Sequence, residues 1–110
     1  MIIGVPKEIK NHEYRIGLTP AGVKELSVHG HEVIVENNGG AAIGFDNEQY
    51  INAGAKIIND AAEIFATADM IIKVKEPQPV ECKMLRPDQI LFTYLHLAPD
   101  PQQTELLVAS

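Results

Sequence analysis

Arg15, Lys75 and His96 are the side chains of this sequence whose types could together handle a small organic acid. A guanidinium fork grips a carboxylate through two parallel hydrogen bonds, an ammonium brings a compact positive charge to an oxygen, and an imidazole exchanges protons near neutrality. The set suits a carboxylate that also bears a carbonyl or an amine. Each of the three comes soon after an apolar run that reads as a strand, and this spacing sets them apart from other charged residues. Each also has a bland reading. Arginine and lysine in loops are ordinarily solvated surface charges. His96, between Leu95 and Leu97, could be a half-buried histidine bonded to backbone. Lys73 competes with Lys75, because a period of two would put both on one face of a strand; the residue nearer the strand end reaches a rim more easily.

The elements that must position these residues alternate along the chain. Residues 2–5 form a short apolar run closed by Pro6, which suits a buried strand, and the polar stretch 7–15 reads as the loop that follows it. Thr19 offers an N-cap oxygen with Pro20 at the first helical position, and Val23, Leu26 and Val28 supply an apolar stripe up to Gly30. The β-branched run 31–36 predicts a second strand, ended by Asn37, Asn38, Gly39 and Gly40. Asp46 or Asn47 caps a helix through Gln49, Tyr50 and Ala53; residues 56–58 are a short strand; Asp60 opens a helix through Ile64 and Phe65. Strands are expected at 70–75, stopped by Pro77 and Pro79, and at 90–95. A helix starting at Thr104 runs to Ser110 without a glycine cap, which reads as an element cut short. Alternation of this kind predicts an α/β fold: a Rossmann-like open parallel sheet with helices on both faces, truncated. Ligands of such sheets bind beyond the carboxyl ends of the strands, where Arg15, Lys75 and His96 are expected to meet.

Bulk properties narrow the function. A chain of 110 residues holds one domain, and 45% hydrophobic with 22% charged residues is ordinary for a globular protein. A net charge of -6 with no concentrated basic face argues against nucleic acid. The single cysteine, Cys82, excludes an internal disulfide and a cysteine zinc cage, and points to a reducing compartment, the cytoplasm. Gly4, Val5 and Pro6 follow the first three residues too soon for a signal peptide, and no apolar run approaches the ~20 residues of a membrane span. His12, His29 and His31 make no metal constellation. The stretch from Gly39 to Gly44 comes near a dinucleotide fingerprint, but Ala41 replaces its middle glycine and Phe45 and Asp46 delay the helix. We read it as a glycine-rich turn, with no cofactor-binding residue in this chain.

Four blocks then become recognisable: Gly4-Val5-Pro6-Lys7-Glu8-Ile9-Lys10, Arg15-Ile16-Gly17-Leu18-Thr19-Pro20, Lys73-Val74-Lys75-Glu76-Pro77 and Phe92-Thr93-Tyr94-Leu95-His96-Leu97-Ala98. In this order and at these positions the chain resembles the start of the alanine dehydrogenase family. The resemblance implies reversible oxidative deamination of L-alanine to pyruvate and ammonia with NAD, in a cytoplasmic homo-oligomer, commonly a hexamer. It also implies roles: Arg15 and Lys75 hold the substrate, Arg15 on its carboxylate and Lys75 on the pyruvate side, and His96 is the catalytic acid/base. Residues 1–110 would be an incomplete N-terminal substrate-binding (catalytic) domain, with the family's NAD-binding half and a catalytic aspartate absent from this chain. Departures are small. Asn37, Asn38, Ala41 and Ala42 stand in a loop that usually carries more glycine, and Gly17 stands where alanine is common. Two other functions compete: the nucleotide-binding subunit of proton-translocating transhydrogenase, which begins with a similar Arg-x-x-x-Thr-Pro block, and a non-catalytic carboxylate-binding module that needs no His96.

Overall fold

A computed structural model describes residues 1–9 and 14–93. The elements are β1 (Ile2–Val5), α1 (Pro20–Val28), β2 (Glu32–Glu36), a 3-10 turn (Ala41–Ile43), α2 (Asn47–Ala53), β3 (Lys56–Ile58), α3 (Ala61–Thr67), β4 (Met70–Ile72), α4 (Pro79–Cys82) and β5 (Ile90–Phe92). All strand pairs are parallel, in a five-stranded sheet of order β3-β2-β1-β4-β5. The chain steps outward from β1 through β2 to β3, then returns to the other side of β1 for β4 and β5. The expected α/β sheet is therefore found, and its crossover direction reverses between β1 and β4.

Period two in the strands builds two cores. Ile3 and Val5 of β1 and Val33 and Val35 of β2 point to one face, where they pack with Val23 of α1 and Tyr50 of α2. Ile34 and Ile71 point to the other, against Ile64, Phe65 and Ala68 of the α3 region. Helices thus cover both faces, as buried parallel strands require.

Helix starts follow local capping chemistry. The side chains of Thr19, Asp46 and Asp60 accept hydrogen bonds from Gly22, Gln49 and Ala62 N–H groups respectively, and Gln49 answers Asp46 in a capping box. At its other end α3 offers the carbonyls of Phe65 and Ala68, which accept from the side chains of Arg86 and Gln89. These bonds satisfy carbonyls at the C-terminal end of the helix, which have no partner within it.

Two expectations change. The strand predicted at 70–75 ends at Ile72, because only the Lys73 N–H continues to β5, donating to the Phe92 carbonyl at 3.0 Å. The next two N–H groups leave the sheet for a side chain. The prolines expected only to stop that strand also start an element, since Pro79 occupies the first turn of the short α4, where its missing N–H costs nothing. Tyr94, Leu95, the helix expected from Thr104 and His12 lie outside the described residues.

Candidate active site

The site region is the carboxyl edge of β1, β4 and β5, which are neighbours in the sheet. Open sheets of this kind form their ligand crevice where the crossover direction reverses, here beyond the ends of β1 and β4. Arg15 and Lys75 flank that edge.

Arg15 is exposed, but the residues after it are tied down. Ile16 is buried in the core that includes Val5 and Val35. A β-carbon on Gly17 would stand 2.6 Å from the Ile72 carbonyl oxygen, so this loop lies directly on the end of β4. The Leu18 carbonyl accepts a 2.7 Å hydrogen bond from the hydroxyl of Tyr50. Burial pushes the Tyr50 hydroxyl up to about 12, which keeps it a donor. Three successive residues thus fix the loop that carries Arg15.

Lys75 is half-buried beyond the end of β4. Its N–H donates to Glu8 Oε1 at 3.2 Å and its carbonyl accepts from Thr93 Oγ1 at 2.9 Å. Glu8, which follows β1, also accepts from the Val74 N–H at 3.1 Å. The Lys73 ammonium lies 3.2 Å from Glu8 Oε1 and 3.1 Å from Glu81 Oε2, with all three side chains no more than 2% exposed. Glu81 also accepts from the Gln78 N–H at 2.9 Å. Burial pushes the Glu81 carboxyl up, against the pull of Lys73 and of the Gln78 N–H.

Lys73, weighed above as a competitor for the substrate, is therefore a buried structural cation. The period-two argument lapses because the strand has already ended. Glu8, Glu81 and Thr93 were missed by sequence reasoning, and the one signal for the two carboxylates was indirect: a lysine directly after the apolar run 70–72 needs a partner if it is buried. Arg15 and Lys75 are brought to the same edge of the sheet. His96 lies outside the described residues.

The glycine-rich turn does not suit a dinucleotide. A β-carbon on Gly39 would meet Ile16 at 2.8 Å and one on Gly40 would meet Phe45 at 2.9 Å, so the space these glycines free is filled by the chain itself. The start of α2 is closed by the Asp46 carboxylate, which would repel a pyrophosphate. Asn38, one of the residues standing where glycine was expected, takes a left-handed φ of 58°, a conformation asparagine tolerates. Among the described residues no group of three or more His, Cys, Asp and Glu could hold a metal ion, and no helix is long and apolar enough to cross a membrane.

A doubly wound parallel α/β domain, with a basic residue following each of two adjacent central strands, is the class that fold and site define. The chain belongs to the alanine dehydrogenase/PNT N-terminal domain family, whose profile matches residues 4–110. An alanine dehydrogenase of Methanococcus maripaludis is 53% identical over 108 residues, covering 98% of this chain and 29% of its own length. That of Bacillus subtilis is 52% identical over 107 residues, covering 97% of this chain and 28% of its own. A solved L-alanine dehydrogenase superposes with a TM-score of 0.95 at 46% identity, over 99% of this chain and 30% of that one. A transhydrogenase from Sinorhizobium meliloti superposes with a TM-score of 0.88 at 25% identity, over 97% of this chain and 32% of that one. The chain spans about 30% of the length of the relatives it matches.

Proposed function

We propose that this chain supplies the substrate-binding half of an L-alanine dehydrogenase, which interconverts L-alanine with pyruvate and ammonia. One observation carries the reading: β1, β4 and β5 are adjacent and parallel, and Arg15, Lys75 and His96 follow them in sequence. Three groups suited to one small carboxylate thus come after neighbouring strands, in a chain similar to proteins named alanine dehydrogenase. The oxidation takes a hydride acceptor, NAD in this reading, assigned to a part of the protein outside this chain.

What these residues do follows from their chemistry. Arg15 binds the carboxylate through its fork and so fixes the orientation of the α-carbon. Lys75 hydrogen-bonds the oxygen that becomes the pyruvate carbonyl and stabilises the charge developing there. His96 takes a proton from the water that adds to the imine, and returns one to the nitrogen as ammonia leaves. This reading also places the protein in the cytoplasm, in keeping with its single cysteine, as a homo-oligomer, the hexamer that the family resemblance implies.

In the full-length enzyme His96→Ala should lower turnover by about 10²-fold or more, with a smaller change in substrate affinity. Arg15→Ala should raise the Michaelis constants for alanine and pyruvate; steady-state kinetics showing them unchanged would remove its assigned role. The transhydrogenase likeness supports a second reading, a nucleotide-binding subunit. Hydride exchange between two nicotinamide nucleotides without alanine would favour it, and alanine-dependent NADH formation would exclude it.

A further inference from the structure

The two backbone polar groups of Lys75 are held by side chains from far along the chain. Glu8, 67 residues before it, accepts its N–H, and Thr93, 18 residues after it, donates to its carbonyl. Glu8 follows β1 and Thr93 follows β5, so the grips come from the strands on either side of β4. We propose that Glu8 and Thr93 are positioning residues that clamp the Lys75 backbone between the ends of β1 and β5, aiming its ammonium at the substrate. This inference rests on the substrate role given to Lys75 above.

The chemistry of the clamp explains its residue types. Val74 and Lys75 have left the sheet, so their N–H groups need acceptors where water is scarce. A carboxylate has two oxygens and about four acceptor positions. Glu8 uses them for the Val74 N–H, the Lys75 N–H and the Lys73 ammonium. Glutamine would keep one oxygen and turn an NH2 group toward a donor. Lys73, itself held by Glu81, pairs with the Glu8 carboxylate and holds it in place. A lysine side chain is a flexible four-carbon stem, so its ammonium is directed only if its backbone is fixed. The ion pair alone would account for a buried Glu8, but it does not require contact with the Lys75 N–H or a hydroxyl on the Lys75 carbonyl.

A double-mutant cycle in the full-length enzyme separates positioning from mere support of the fold. Thr93→Val keeps the side-chain shape and should lower kcat/KM for alanine by about 3- to 10-fold; Glu8→Gln should lower it by about 10- to 100-fold. Both losses should fall mainly on kcat, since Arg15 still holds the carboxylate. In a Lys75→Ala background each substitution should change kcat/KM by less than about twofold, because nothing is left to aim. Pyruvate affinity, measured on the same proteins, closes the cycle where turnover is too low to follow. Equal losses in both backgrounds, with Lys75→Ala itself impaired, overturn the positioning role while leaving the site intact. An unimpaired Lys75→Ala enzyme overturns the substrate role of Lys75 and this inference with it. Should Glu8→Gln fail to fold, the Thr93→Val arm decides alone.

Discussion

Lys73 stands between two carboxylates with all three side chains withdrawn from water, and such a cluster is sensitive to the charge of each member. Burial raises the Glu81 carboxyl above the usual carboxylate range, more than Lys73 and the Gln78 N–H lower it. A carboxyl raised in the folded state keeps its proton at pH values where the unfolded chain has released it. Its contribution to stability is therefore fully present below the unfolded value and is lost as pH rises through the folded one. Glu81→Gln removes this ionisation and keeps an oxygen for Lys73. The stability of the variant relative to the native protein should accordingly improve between about pH 4 and about pH 8. Urea unfolding at both pH values checks this, and a native advantage that widens with pH would contradict it. None of this cluster was legible in the sequence as a cluster. A lysine after an apolar run looks the same whether it emerges into water or turns inward, and its partner Glu8 sits in a stretch with the composition of a loop. Arg15 and Lys75 were legible for a different reason: their positions after strands can be read locally, and the sheet order then makes those strands neighbours.

At the scale of elements, local signals and structure agree wherever backbone hydrogen bonds stay local. Thr19 with Pro20, Asp46 with Gln49, and Asp60 mark helix starts in both sequence and structure. The β-branched runs mark β2 and β3. Agreement fails where the backbone bonds to distant groups: β4 is shorter than the strand expected at 70–75 because Glu8 takes the Val74 and Lys75 N–H groups. The short α4, at Pro79–Cys82, carries too few residues for a periodic stripe. Close packing between elements is equally invisible in a linear pattern. Gly4, in β1, allows α3 to lie against the sheet; a β-carbon there would stand 2.6 Å from Ile64 Cγ2 and 2.8 Å from the Ala68 Cβ. Both neighbours belong to fully buried residues, so neither can swing into solvent. Gly4→Ala should therefore destabilise the fold by about 1–3 kcal/mol, the usual scale of overpacking, despite the better strand propensity of alanine. A denaturation midpoint equal to or above the native one would show that α3 can withdraw without loss.

For the molecule as a whole, the question is what the 110-residue polypeptide does by itself. Its sheet order is that of a dinucleotide-binding half, yet the places where such a sheet receives phosphates are occupied by its own groups. Thr19, Asp46 and Asp60 cap the starts of α1, α2 and α3, and two of the three caps are carboxylates. A net charge of -6 adds a weak long-range repulsion for a dinucleotide. Orientation matters more than affinity here. Hydride transfer needs donor and acceptor held at near-attack distance, and that arrangement contributes roughly 7–11 kcal/mol only where both sites belong to one assembly. The relatives this chain matches are more than three times its length, so the residues that hold the acceptor are assigned to what the match does not cover. We expect the isolated polypeptide to bind NAD weakly at best and to form no NADH from alanine. The same preparation should still bind pyruvate more weakly after Arg15→Ala than before, if it retains the edge formed by β1 and β4. Following NADH absorbance with alanine and NAD, beside the full-length enzyme at equal concentration, tests the first expectation. Turnover above a contamination control would mean that these residues hold both substrate and acceptor, and would overturn the division of labour proposed for them.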